Sequence, residues 1–146
     1  MKIRAIAPGD AQRVAVLLTQ LGYPTTAAEA AQRVAYFAQD GRSVLLGADD
    51  GGVLVGVASW TIYPTLEKPG GVARLSALVV DETRRNKGIG RALMNAGEEW
   101  ARAGGAQKAE VTSSRHREAA HAFYQGLGYT DVCDRSARFI RELDAT

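Results

Sequence analysis

The residues with the clearest chemical potential lie where an apolar stretch gives way to a basic one. Leu78-Val79-Val80 is followed by Asp81-Glu82-Thr83-Arg84-Arg85-Asn86-Lys87-Gly88-Ile89-Gly90-Arg91, and helical periodicity begins near Gly88. The start of a helix exposes N–H groups without intrahelical acceptors and carries a partial positive charge. Gly88 and Gly90 let an anion approach that backbone, while Arg85, Lys87 and Arg91 add charge beside it. The segment predicts a phosphate or pyrophosphate site. It is not a dinucleotide fingerprint, because Leu93 stands where the third glycine would be, and the sequence contains no P-loop. Taken alone, it also reads as a glycine-containing turn before a capped helix.

The other groups capable of chemistry are scattered. Glu110 lies in a short strand-like run, and alternation there leaves its direction open. Glu67 and Asp81 fall in loops and read as solvated charges. Arg115, His116 and Arg117 make a second basic group. His116 and His121 have no paired cysteine or acidic cluster, so no metal site is expected. Tyr124 adjoins Phe123 in a helical stretch, and periodicity alone reads it as a core aromatic. The sequence has one cysteine, Cys133, which excludes a disulfide within the chain and suits a reducing compartment. Met1 to Ala7 carries no long apolar leader, and no run of about 18 apolar residues occurs. The expectation is a cytoplasmic protein that does not enter a membrane.

The elements that must position these groups follow from hydrophobic period and turn chemistry. Lys2 to Ile6 alternates and reads as a strand. Asp10 is a candidate cap for a helix with Val14, Leu17, Leu18 and Leu21 on one face, stopped by Gly22 and Pro24. Thr26 and Glu29 have capping-box spacing ahead of Ala30, Val34, Phe37 and Ala38. Ser43 to Ala48 and Val53 to Tyr63 read as strands joined at Asp49-Asp50-Gly51-Gly52. Val72 to Val80 is a third strand in succession. A helix from Gly88 to Gly104, a strand over Lys108 to Thr112 and a helix over Glu118 to Leu127 follow, with Gly128 as its C-terminal stop. Tyr129 to Cys133 and Ala137 to Leu143 are expected to be two closing strands. The order β-α-α-β-β-β-α-β-α-β-β predicts an α/β (α+β) fold: a mixed, mostly antiparallel sheet of about six to seven strands flanked by helices. The 146 residues suit a single domain spanning 1–146.

Two segments in this order carry a resemblance. Arg85-Asn86-Lys87-Gly88-Ile89-Gly90 resembles the R/Q-x-x-G-x-G/A motif of the GNAT superfamily of N-acetyltransferases, and it sits between the fourth strand and the next helix as in that family. Ala120-His121-Ala122-Phe123-Tyr124-Gln125-Gly126-Leu127-Gly128-Tyr129 is similar to the family's A-x-x-F-Y-x-x-x-G-F/Y segment. The resemblance implies acetyl-CoA as co-substrate, its pantetheine arm lying along Leu78, Val79 and Val80 like an added strand. It implies that amides from Asn86 to Arg91, with Arg85 at the first motif position, hold the pyrophosphate. Tyr124 takes the place of a tyrosine near the departing sulfur: an amine attacks the thioester, an oxyanion forms, and a phenol can protonate the leaving thiolate.

Departures accompany the match. Glu82 stands where proline is common, and Arg117 where many members carry a cofactor-contacting asparagine. Arg74 occupies the position of a glutamate that some relatives use as base, which leaves Glu110 or a water chain to take the amine proton. The implied acceptor is a primary amine, of a small molecule on the likeness of the Tyr124 segment. The first two helices, Tyr63 to Gly71, and Thr112 to Ser114 would select it. A homodimer joined through late strands, with Ala137 to Leu143 as an edge, is a further implication. A non-catalytic acyl-CoA sensor is the alternative. Nucleic acid is not expected as a partner, since the formal net charge is only +2.

Overall fold

The computed structural model describes residues 1–113 and 117–143. The chain divides into two compact units, Met1–Thr112 and Ser113–Thr146. The first contains β1 (Lys2–Ala5), α1 (Ala11–Leu21), α2 (Ala27–Gln39), β2 (Ser43–Asp50), β3 (Val53–Pro64), β4 (Gly71–Val80), α3 (Ile89–Ala103) and β5 (Ala106–Val111). Its five strands form one sheet in chain order. Neighbours are antiparallel from β1 to β4, and β5 runs parallel to β4. A parallel pair needs a crossover, which α3 supplies.

Local chemistry explains most boundaries. Thr26 and Glu29 form the reciprocal capping box, with Glu29 N donating to Thr26 Oγ1 at 3.1 Å and Thr26 N donating to Glu29 Oε1 at 2.9 Å. Gly51 and Gly52 take φ of 63° and 92° and close the β2–β3 hairpin, which Asp49 braces by accepting from Gly52 N. Asp10 precedes α1 without capping it. Its carboxylate instead accepts from Ala7 N and pairs with Arg4 at 2.8 Å.

The sheet is covered on both faces. Val14, Leu17, Ala30 and Val34 of α1 and α2 bury against Val57 and Val79. Alternation turns Gly56 and Trp60 the other way, toward Ile89, Leu93 and Gly97 of α3.

The second unit contains α4 (Glu118–Gly126). Gly128 follows with φ of 94°, and Tyr129 N donates back to Tyr124 O at 3.1 Å, so the helix ends in a Schellman cap. The expected strands at Tyr129 to Cys133 and Ala137 to Leu143 are absent: no strand occurs among the described residues after β5, and the sheet has five strands rather than six or seven. Val132 and Ser136 close a turn instead. Phe139 and Ile140 are adjacent rather than alternating and are 92% and 71% exposed, so no apolar face is buried to offset the cost of ordering an extended backbone.

Candidate active site

The site begins where β4 loses a neighbour. On its β3 side, β4 is paired through Val80, with Leu78 opposite Ala58 and Val79 opposite Val57. On its β5 side the pairing covers only Gly71 to Leu75. Beyond Leu75, the backbone from Ser76 to Val80 is an edge without a β5 partner. The point of parting coincides with a bulge: Trp60 pairs with Leu75 and Ser59 with Ala77, leaving Ser76 as an extra residue. A bulge bends its strand and ends regular pairing. Ser59 Oγ and Ser76 Oγ lie 2.6 Å apart across it. The sequence held no glycine or proline at this point, so nothing local signalled the bulge.

At the far end of this edge stands the basic turn. Asp81 anchors it and is not the solvated charge that the sequence suggests. It is buried, accepts from Thr83 N at 3.0 Å and Thr83 Oγ1 at 2.8 Å, and pairs with Arg13 of α1 at 2.7 Å. Arg13 also donates to Leu54 O, tying helix, strand and turn together. The Thr83 amide, then Arg13, holds the Asp81 carboxyl down at about 2, from an ordinary 3.8. A depressed carboxyl stabilises the fold fully above its ordinary value and ceases to do so as the pH falls through its folded value. Asp81→Asn is therefore expected to lose on the order of 1 kcal/mol at neutral pH. Its denaturant midpoint should also change less than that of the parent between pH 4 and 2, a difference that chemical denaturation across that range reads directly.

Past Asp81 the chain coils tightly. Asn86 has φ of 64°, unusual for a residue other than glycine, and Gly88 has φ of 80° at the cap of α3. Left-handed residues at two of three successive positions build the kind of backbone concavity that holds anions. The first intrahelical bond is Ala92 N to Gly88 O, which leaves the amides of Ile89, Gly90 and Arg91 without acceptors in the helix. A side chain at Gly88 would meet nothing within 4 Å, so the cradle is open. Arg84 is engaged by Asp50, whereas Arg85, Lys87 and Arg91 have no carboxylate partner among the described residues. The edge at Leu78, Val79 and Val80 and the cradle from Arg85 to Arg91 thus lie on one continuous stretch of the first unit.

Tyr124 and Arg117 lie in the second unit. Arg117 caps α4. Tyr124 packs edge-on against Phe123 at 5.3 Å and Tyr129 at 6.2 Å, the latter contact following from the Schellman cap. Burial raises its phenol above the ordinary value of 10.0, with Arg117 opposing. Arg115 and His116 lie outside the described residues. Glu110 takes a hydrogen bond from the Tyr63 hydroxyl at 2.6 Å and stands 3.5 Å from Arg74. Desolvation, then this hydrogen bond, pushes the Tyr63 phenol up to about 12. Sequence reasoning missed this grouping because its members sit on three strands. Trp60 is fully buried under α3.

Against known proteins, the Acetyltransferase (GNAT) family model matches residues 15–129. No curated protein sequence matches the chain. Among solved structures, a protein of Agrobacterium tumefaciens provisionally named an acetyltransferase is 27% identical, with a TM-score of 0.86 over 97% of this chain and 100% of that one. A GNAT family acetyltransferase of Staphylococcus aureus superposes with a TM-score of 0.80 at 20% identity, over 97% of this chain and 98% of that one. The aminoglycoside N-acetyltransferase AAC(6')-Iy, solved in complex with CoA, reaches a TM-score of 0.80 at 19% identity, over 98% and 100%. The last two likenesses speak for the fold alone.

Proposed function

The chain belongs to the acetyltransferase (GNAT) family, and from that premise we propose that it moves an acetyl group from acetyl-CoA to the primary amine of a small molecule, by direct attack. The observation that carries the reading is the β4 edge from Ser76 to Val80, which β5 does not pair and where Arg85 Nε donates to Val80 O, leading into the concave turn of Asn86 to Arg91. An extended amide-bearing arm fits the edge by strand-like hydrogen bonding. A pyrophosphate fits the cradle through amides, with Arg85, Lys87 and Arg91 supplying charge.

Acetyl-CoA would supply an acyl group activated as a thioester. Within this chain, a backbone N–H near Leu78 donates to the acyl oxygen, and the Tyr124 hydroxyl donates a proton to the sulfur as it leaves. The balance is one C–N bond formed and one C–S bond broken, yielding an amide, a thiol and the proton released by the amine. That proton passes to water or to Glu110 and on to the Tyr124 phenolate, which restores the donor. Arg117 is assigned to a cofactor phosphate. Residues 1–146 act in this reading as one catalytic domain, and the exposed single thiol of Cys133 suits the cytoplasm.

Calorimetric titration of acetyl-CoA, followed by thiol release with a panel of amines, tests the reading. Binding with thiol release is expected. Binding without release for any amine would favour the acyl-CoA sensor, and no binding would overturn the reading. A Gly88→Val variant sharpens the test. Its side chain enters open space, so the fold should persist, but a β-branched residue resists the left-handed conformation. The cradle amides then lose their aim, and affinity for acetyl-CoA should fall about tenfold, with the Tm lowered by roughly 5 °C by the strained backbone.

A further inference from the structure

The face of the sheet that carries α1 and α2 changes character along β3. Val57 is buried beneath the helices, but the next residues on that face are Ser59, Thr61 and Tyr63. Register places Arg74 opposite Thr61 and Glu110 opposite Arg74, and Ser76 bonds to Ser59. The result is a polar floor across three strands. It adjoins the place where β4 and β5 part, since Arg74–Glu110 is the rung just before the last pair, Leu75–Val111. A strand-like arm laid from the cradle along Val80 to Ser76 covers roughly 13 Å and ends beside this floor.

The charges on the floor engage one another only at long range. Where the fold uses ion pairs to fasten elements, they are tight: Arg4–Asp10 and Arg4–Asp49 at 2.8 Å, and Arg13–Asp81 at 2.7 Å. Arg74 and Glu110 stand 3.5 Å apart, beyond the usual span of a charge-assisted hydrogen bond, and their side chains are 39% and 42% exposed. Glu110 receives both its contacts on Oε1 and has no partner for Oε2 among the described residues. Among the described residues Arg74 has one long contact and a planar fork of donors otherwise unused. Tyr63 fixes the carboxylate from the other side, and its raised value keeps it a donor at any physiological pH.

We propose that Arg74 and Glu110 form the acceptor subsite and select an amine that also carries a carboxylate, the class of free amino acids. The guanidinium fork takes the carboxylate, and Oε2 of Glu110 takes the ammonium before reaction. A floor holding one positive and one negative group, only loosely paired, matches a zwitterion, whereas a polyamine would set its second charge against Arg74. The inference rests on the acetyl-CoA reading, because it is the direction of the arm that brings the acyl group to this floor.

The test compares each of several amino acids with its decarboxylated amine, phenylalanine with phenethylamine for example, in parent, Arg74→Gln, Arg74→Lys and Glu110→Gln. Calorimetry of acetyl-CoA accompanies each variant. The parent should favour the amino acid by about tenfold or more in kcat/KM. Arg74→Gln should remove that preference through KM, leaving the decarboxylated amine and the acetyl-CoA affinity within about twofold. Arg74→Lys should restore part of the preference, and Glu110→Gln should weaken both members of each pair. Equal use of both members by the parent, equal loss of both in Arg74→Gln, or no turnover of any amino acid overturns the proposal while acetyl-CoA still binds. Loss of acetyl-CoA binding in the parent overturns the underlying reading and this one with it.

Discussion

Replacing Tyr124 by Phe should lower kcat about a hundredfold while leaving the affinity for acetyl-CoA and the Tm almost unchanged. The stability side follows from packing. The ring of Tyr124 meets Phe123 and Tyr129 edge-on, and phenylalanine keeps both contacts. Its hydroxyl makes no hydrogen bond among the described residues, so deleting it breaks none there. The catalytic side follows from acidity. A free thiol has a pKa of about 8.5 and a phenol about 10, so proton transfer to a departing thiolate costs little when the phenol is correctly held. Burial raises the Tyr124 phenol further, which favours its neutral form. The sign matters: the donor stays protonated through neutral pH, and Tyr124 should impose no alkaline loss of kcat below pH about 10. Steady-state kinetics of both forms, with calorimetry of acetyl-CoA, decide the matter. An unchanged kcat would make Tyr124 a packing aromatic, and a loss matched by weaker acetyl-CoA binding would make it a binding residue.

What was readable in advance was what is local. The cradle could be read from Gly88, Gly90 and the basic residues around them, because positive φ and helix-start amides are consequences of a few neighbouring residues. The capping box at Thr26 and Glu29 and the Schellman stop at Gly128 were legible for the same reason. The bulge at Ser76 was not, since it is imposed by how β3 pairs across it. Asp81 looked solvated because its partner Arg13 is 68 positions away. The Tyr63–Arg74–Glu110 grouping depends on register across three strands, which no single-strand pattern encodes. At the C-terminal end, the apolar content of Ala137 to Leu143 suggested a strand. Adjacent Phe139 and Ile140 do not share a face, however, and composition without period was a poor guide.

Register also explains why the two halves of the site depend on one helix. α3 presents the cradle at its start and lies over β3 and β4 along its length, so anything that lifts α3 off the sheet also re-aims the amides. Gly97 is the residue that lets it lie so close. Glycine costs a helix about 1 kcal/mol relative to alanine, so Gly97→Ala would stabilise an unconstrained helix. Here a Cβ at position 97 would fall 2.0 Å from Nε1 of Trp60, whose side chain is fully buried. The indole cannot retreat, because Trp60 is fixed in β3 opposite both Val44 and Leu75. Overpacking of this kind costs about 1–3 kcal/mol, which outweighs the gain in helix propensity. Gly97→Ala should therefore lower the Tm by roughly 3–8 °C and weaken acetyl-CoA binding as the start of α3 shifts. Trp60→Phe should relieve the contact. Among the described residues Nε1 has no hydrogen-bond partner, so phenylalanine removes a buried donor unsatisfied there while keeping an aromatic ring in place. The double variant Gly97→Ala with Trp60→Phe should then be more stable than the two single effects added together. A Gly97→Ala protein as stable as the parent, with no coupling to Trp60, would mean that α3 is free to slide and that its cradle is positioned by the Asp81 anchor alone.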